Sequence, residues 1–490
     1  VADKTIPAGK CFLCHKISVT SVDLPVFLLP INTHTLSSAI AAGLNFLKRK
    51  SIYNTAPFYF TKFYSHVLRM AGRARIAVRG IQDQWLSGDP SYSYFVTIFR
   101  RHTRFSTETV ELPFTGDFKL GSNLRSIVPN NVGDLVRSMT LKLRLGTLPT
   151  DTSTEKHYYN IPVAKNLLKH VDLKMGGQTI ERLTGEYITM YDQLHSNKDD
   201  VAQTLYFLNG QGNHLAVSGS YDTFYVNLPF YFFRNPSLAI PVCALKKQMI
   251  EIELTFKDID DDVTFKYTLQ GDGNVTREVT EDGRILNASV LVDFFFVTED
   301  ERNYLLTRPT DYLITQLQVS TVTFKPNETK KSALLKFTNP VKELFFIAKE
   351  DVGTQDTLLT TSKSDQSFST AIVGTGNILK RSDYRLIKNI RLDFNGKNIF
   401  DYSGTYLAYG QSLKYHTGCP DPANEFYMYS FALDPEKYYP TGQVNMSRII
   451  HKKIDIELDE VSATRDIKVK VYALSYNILR IQGGLAGLKF

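Results

Sequence analysis

One hairpin is written twice in this chain, and that duplication sets the scale of the fold. The stretches LLKHVDLKMGGQTIERLTGEYI (167–188) and LIKNIRLDFNGKNIFDYSGTYL (386–407) align without a gap at a spacing of 219 residues. Identities fall at Leu167/Leu386, Lys169/Lys388, Leu173/Leu392, Gly177/Gly396, Ile180/Ile399, Gly185/Gly404 and Tyr187/Tyr406. In each copy three apolar residues alternate with polar ones, Val171, Leu173 and Met175 in the first and Ile390, Leu392 and Phe394 in the second, as in a half-buried strand. Gly-Gly or Asn-Gly then supplies the positive φ values of a two-residue turn. Gly177 and Gly396 are therefore expected as structural glycines at equivalent turns.

A second matched pair follows, CALKKQMIEIELTF (243–256) and SRIIHKKIDIELDE (447–460), in the same order at a spacing of 204. A period near 200 is the size of a domain and far too long for a solenoid repeat. The chain thus reads as two copies of one β domain. MTLKLRL (139–145), IEIELTF (250–256) and IKVKVYAL (467–474) are short alternating runs, separated by loops of variable length. Such a pattern suits an antiparallel sandwich or jelly roll. TEDERNYLL (298–306) is charged and is expected to be a helix linking the copies, whereas 350–377 reads as a loop inserted in the second.

Charge and composition restrict the function. The net charge of +7 is carried by one end: residues 1–69 hold eight Lys or Arg and two acids, a balance of +6, so that the other 421 residues carry +1. A nearly neutral body has no global electrostatic reason to seek phosphate backbones, and no direct nucleic-acid partner is expected. Residues 1–69 differ so much in acidic content that they read as an upstream segment or disordered extension, with the natural start expected at Met70. Within them, CFLCH (Cys11 to His15) fits the haem-attachment spacing but has no compact helical domain around it, and a chance match is the better reading. Four scattered cysteines provide no disulfide framework and fit a reducing compartment. No run of about 18 uninterrupted apolar residues spans a membrane.

No catalytic or metal-binding spacing stands out in the sequence. His102, His157, His170, His195, His214, His416 and His451 stand alone, with no H-x-H or H-x-x-x-H pair, so no metal is expected. Asp258, Asp260 and Asp262 resemble a calcium loop, yet Val263 sits where glycine is needed and Leu269 where a bidentate Glu is needed. GTGN (374–377) lacks the G-K-[ST] ending of a phosphate loop, and NGQGN (209–213) lies in no βαβ unit. No catalytic residue, cofactor or nucleotide site is expected, and the chain reads as a non-enzyme. Sequons occur at Asn274, Asn287, Asn327 and Asn445, of which Asn274 is the most loop-like glycosylation candidate.

Six further blocks carry a family resemblance. They are WLSGDPSYSYFVTIFRRHTRFSTETVELPF (85–114), LPFYFFRNPSLAIPVCAL (228–245), TEDERNYLL, NPVKELFFIAKE (339–350), YSFALDPEKYYPTGQVNMSRI (429–449) and YALSYNILRIQGGLAGLKF (472–490). Together, in this order, they resemble the double jelly-roll major capsid proteins of nucleocytoplasmic large DNA viruses, of the algal-virus and iridovirus type. The resemblance covers 70–490, and MAGRARIAVRGIQDQWLSGDP looks like the family's start. It implies an all-β chain of two tandem eight-stranded antiparallel jelly rolls, divided as an arm (70–90), a first roll (91–297), a linker helix (298–311) and a second roll (312–490). It further implies a structural protein whose homotrimer forms a pseudo-hexagonal capsomer tiling an icosahedral shell. The implied partners are neighbouring capsomers, minor capsid proteins and an inner membrane below the shell. The implied location is the virion capsid, assembled in the host cytoplasm. The alternative reading is a jelly-roll protein that binds or processes carbohydrate.

Overall fold

The computed structural model describes residues 76–490 apart from 79, 98, 100, 150–151, 153–154, 160–162, 197–221, 259–263, 270–274, 280–283, 351–354, 359–372, 375–376, 379–385, 421–425 and 460–465. Residues 1–69, Met70, Asn274, His214 and 209–213 lie outside the described residues. The described part of 76–99 contains a short helix, α1 (Asp83–Ser87), and residues 101–490 form one compact unit.

Eight strands build the first half of that unit: β1 (Phe105–Pro113), β2 (Asn123–Val128), β3 (Leu135–Leu145), β4 (Leu168–Met175), β5 (Gln178–Thr184), β6 (Thr223–Asn227), β7 (Ile250–Phe256) and β8 (Ile285–Val297). They pair antiparallel in two sheets with the orders β1-β8-β3-β6, to which the short strand Ile240–Pro241 adds beside β3, and β2-β7-β4-β5. After helix α2 (Gly185–His195), within the first half, and α3 (Glu299–Thr307), which follows β8, eight more strands repeat the pattern. These are β9 (Thr310–Phe324), β10 (Lys330–Leu334), β11 (Pro340–Glu350), β12 (Ile387–Phe394), β13 (Lys397–Ser403), β14 (Tyr427–Ser430), β15 (Lys452–Leu458) and β16 (Ile467–Gln482). Their sheet orders are β9-β16-β11-β14 and β10-β15-β12-β13, each strand standing where its counterpart eight earlier stands. Alternation in β3 and β7 turns an apolar side of each of the first half's sheets inwards, and closing two such faces on each other gives a jelly roll.

The duplicated hairpin is the same object twice. Met175 pairs with Gln178 and Phe394 with Lys397, closing two-residue turns whose φ values are 56° and 83° at Gly176 and Gly177, and 48° and 79° at Asn395 and Gly396. Positive φ at both centre positions matches the twist of the flanking strands. Each hairpin also carries a register shift at the same repeat position, between Leu173 and Lys174 and between Leu392 and Asp393. At Gly185 and Gly404 the requirement is closeness. A Cβ there would lie 2.1 Å from the Lys165 carbonyl oxygen and 2.2 Å from that of Ile387.

One expectation fails. The segment 350–377, read as a loop, contains a strand at Gln355–Leu358 that pairs antiparallel with Val275–Val279, an insertion of the first half. With Thr264–Leu269 and Glu155–Tyr159 it completes a further four-stranded sheet. Backbone hydrogen bonding to a strand more than 70 residues away is invisible to a local polarity pattern.

Substituting Val at Gly177 or Gly396 is expected to cost about 1 to 3 kcal/mol through backbone strain, since a Cβ at either site meets nothing within 4 Å. Ala at Gly185 or Gly404 should cost more than Ala at either turn glycine, because backbone oxygens block it. Urea unfolding of the four Ala variants checks the order, and the two Val variants check the magnitude.

Candidate functional site at the junction of the two rolls

The second roll's sheet β9-β16-β11-β14 has no solvent face over its central part. Side chains on successive strand residues point to opposite faces. Leu344, Phe346, Ala348, Val471 and Ala473 accordingly pack into the second roll's own core. Phe345, Ile347, Tyr472 and Leu474 join a core continuous with that of the first roll. Hence VYALSYN (471–477) is buried without interruption, the pattern of a strand covered on both faces.

Helix α2 supplies much of the cover. Thr184 caps it, its hydroxyl accepting from the Tyr187 N–H at 3.2 Å, and Glu186 occupies the first turn, where a carboxylate complements the helix dipole. Most of the helix is buried, unlike a surface helix with one apolar stripe. Its start is tied across the junction: Lys470 Nζ donates to Glu186 Oε1 at 2.6 Å, and the Tyr472 hydroxyl donates to Oε2 at 3.0 Å. Gln316 Nε2 adds a bond to the Ile180 carbonyl at 2.6 Å. Tyr187 meets Phe345 edge to face, centroids 6.1 Å apart.

The end of α2 is tied as well. A short α-helix, Gln411–Tyr415, ends at His416, and the chain then passes so close to α2 that the Gly418 N–H donates to the Leu194 carbonyl at 2.7 Å. A Cβ on Gly418 would lie 2.0 Å from the Gln193 carbonyl oxygen, so only glycine permits this approach. It brings His195 and His416 together, rings 5.4 Å apart. The expectation that these histidines stand alone is thereby corrected. His102 and His451 are exposed, His157 is buried, and His170 is half-buried beside the Thr255 hydroxyl at 3.1 Å. Gly177 and Gly396 sit at their hairpin tips, away from the junction.

Around the two histidines gather charges that no sequence motif announced. His416 Nε2 donates to Glu343 Oε1 at 2.7 Å, and its Nδ1 faces Glu436 Oε1 at 3.3 Å, within ion-pair range but outside hydrogen-bond geometry. Glu436 also accepts from the Thr417 N–H and hydroxyl, each at 2.9 Å. His195 Nδ1 donates to the Tyr191 carbonyl at 2.8 Å. Lys342 is buried with Nζ donating to the Pro435 carbonyl at 2.9 Å. A cavity of about 110 Å³ lies alongside, lined among others by Tyr191, His195, Arg234, Glu343 and Glu436.

Burial works against ionisation of Glu186, but the charges of Lys470 and Lys257 and the Lys470 hydrogen bond hold its carboxyl down at about 2. Burial pushes Glu181 up to about 8, against the opposing hydrogen bond from the Tyr231 N–H. Burial, then Arg234 and His416, push His195 down to about 3. Burial opposes the charge on His416 too, yet Glu343 and Glu436 raise it to about 9.

Two family descriptions match the halves that the strand order defines: "Major capsid protein N-terminus" over residues 93–298 and "Large eukaryotic DNA virus major capsid protein" over 301–487. The chain belongs to this family of viral major capsid proteins. The major capsid protein of Paramecium bursaria Chlorella virus 1 is 28% identical over 452 residues, and that of Pyramimonas orientalis virus 26% over 449. Each alignment covers 86% of this chain and 99% of the relative. Among solved structures, the VP54 protein of PBCV-1, as fitted into a reconstruction of the virophage Sputnik, superposes with a TM-score of 0.66 at 23% identity, covering 81% of this chain and 100% of that one. The Faustovirus major capsid protein gives 0.59 at 14% identity, covering 84% and 97%. These likenesses show the double jelly-roll fold. As a major capsid protein of a large DNA virus, the chain is a structural component of the virion capsid.

The folded carboxyl of Glu186 lies below the value of about 4.5 for an unfolded Glu, so its contribution is complete above that pH and is lost as pH falls towards 2. Glu186→Ala, which strands Lys470 and Tyr472, is expected to cost about 2 to 4 kcal/mol at pH 7. Denaturant unfolding should show wild type and variant converging as the solution is acidified from 4.5. Glu181 has the opposite sign: its proton is retained in the fold, so stability should fall as pH rises from 4.5 to 8 in wild type but not in Glu181→Gln.

Proposed function

We propose that three copies of this capsid protein close into a ring, and that this ring is the pseudo-hexagonal unit tiling an icosahedral shell. The carrying observation is the identical strand order of two rolls joined through a shared dry junction. A rigid pair of like sandwiches, repeated three times, offers six similar flanks to its neighbours. Within the chain we assign residues 70–90 to an arm, 91–297 to the first roll, 298–311 to the linker and 312–490 to the second roll.

In this reading the chain performs no catalysis, and its work is done by surfaces. The nearly neutral body sets little net repulsion against packing identical subunits side by side, and gives no electrostatic drive towards nucleic acid. Neighbouring capsomers and minor capsid proteins contact the flanks, an inner membrane lies below, and assembly takes place in the host cytoplasm. The carbohydrate-binding alternative draws no support from the family matches. Asn274 stays the candidate glycan acceptor.

The flanks of such a ring must bury a standard or larger interface, on the order of 1,600 Å² or more per pair. Light scattering coupled to size exclusion should therefore return the mass of a trimer across micromolar concentrations. A stable, well-folded monomer over that range would contradict the proposal.

A further inference from the structure

We propose that His195, His416 and Glu436 form a site for one divalent transition-metal ion of the zinc class, which clamps the first jelly roll to the second. One donor atom from each of the three lies within 4.8 Å of the others. The hydrogen bonds decide which ring nitrogens are available to ligate. His195 gives its Nδ1 proton to the Tyr191 carbonyl, a group that can only accept, so Nε2 keeps its lone pair. His416 gives its Nε2 proton to Glu343 and turns Nδ1 towards Glu436. That Nδ1 is buried with the Glu436 carboxylate 3.3 Å away, and the His416 side chain is only 1% exposed.

Such an arrangement is how a metal-binding histidine is held: one ring nitrogen faces the ion while the other donates to a carboxylate or carbonyl that fixes ring and tautomer. Here both rings are held so, by Glu343 and Tyr191. Glu436 is fixed in turn by two hydrogen bonds from Thr417. Two imidazoles and one carboxylate suit zinc or its first-row neighbours better than calcium or magnesium, which favour all-oxygen shells. Tetrahedral zinc brings such donors to about 3.4 Å apart, so the three side chains close inwards on binding, and the adjoining cavity of about 110 Å³ can supply a water as fourth ligand. His195 closes α2, and His416 directly follows the Gln411–Tyr415 helix, so both stand at helix C-termini, whose negative dipole ends favour a cation. The competing occupant of the same space is a proton on His416 Nδ1 directed at Glu436, which makes the ring an imidazolium held between Glu436 and Glu343.

Full-length protein without an affinity tag, stripped with chelator and dialysed, is titrated with Zn²⁺ by calorimetry and with Co²⁺ by visible absorption. The expected results are one equivalent per chain, a raised thermal midpoint, and the intense visible bands of tetrahedral Co²⁺. Glu343→Gln should weaken binding roughly 10- to 100-fold as an outer-shell change, and His195→Ala by at least as much, while His451→Ala leaves it unaltered. Absence of stoichiometric binding by folded wild type, or unchanged binding in folded His195→Ala, overturns the proposal and leaves the proton as occupant. Should the variants not fold, the wild-type cobalt spectrum decides: tetrahedral bands without the thiolate-to-cobalt charge-transfer absorption that Cys11 and Cys14 would give support the site, and either a thiolate spectrum or the pale spectrum of hydrated Co²⁺ refutes it.

Discussion

Everything in residues 101–490 hangs on one sheet with two dry faces. β9-β16-β11-β14 gives alternate side chains to two cores, so neither roll can be lifted away without wetting Phe345, Ile347, Tyr472 and Leu474. Fully burying a side chain of this size is worth roughly 1.5 to 3 kcal/mol, and those four alone outweigh any single polar contact across the junction. The two halves of the repeat therefore behave as one body. A capsid subunit needs that property, because lattice contacts made by one roll reach the other only through a stiff connection.

Apolar burial sets the strength of the junction, and its polar groups set the geometry. Non-directional packing would tolerate a sliding or rotated second roll. Glu186 between Lys470 and Tyr472, the Gly418 N–H on the Leu194 carbonyl, and His416 between Glu343 and Glu436 each accept one arrangement. Buried ionic groups cost desolvation, and a well-packed apolar replacement is often as stable. Their presence here is accounted for by register: they fix how α2 lies across the second roll's sheet, and so the relative setting of two sandwiches that must fit one capsomer.

Much of this was legible in the sequence because it is local or repeated. Alternation located β3, β7 and β16, Gly-Gly and Asn-Gly located the hairpin turns, and the ungapped match of 167–188 to 386–407 revealed that one topology is used twice. What stayed hidden is what forms only in space. His195 and His416 are 221 positions apart and carry no spacing motif; the glycine that unites them, Gly418, shows neither repeat nor turn signature. The strand at 355–358 was missed because its partner lies in another insertion. A signal for the junction did exist. In VYALSYN and in LFFIA (344–348) strict alternation gives way to unbroken apolar or small residues, the mark of a strand covered on both sides.

Membership of the capsid family assigns the chain to a shell, and the duplicated rolls joined through a dry sheet explain how one polypeptide can stand for two lattice-facing sandwiches. Electron cryomicroscopy of intact particles containing this chain tests that account most directly. The account predicts capsomers of three-fold symmetry and hexagonal outline, each fitted by three copies with six sandwiches, and within every copy the junction of α2 on the second roll's sheet preserved. Capsomers built from five or six separate chains, or copies whose two rolls are splayed apart at that sheet, would contradict it.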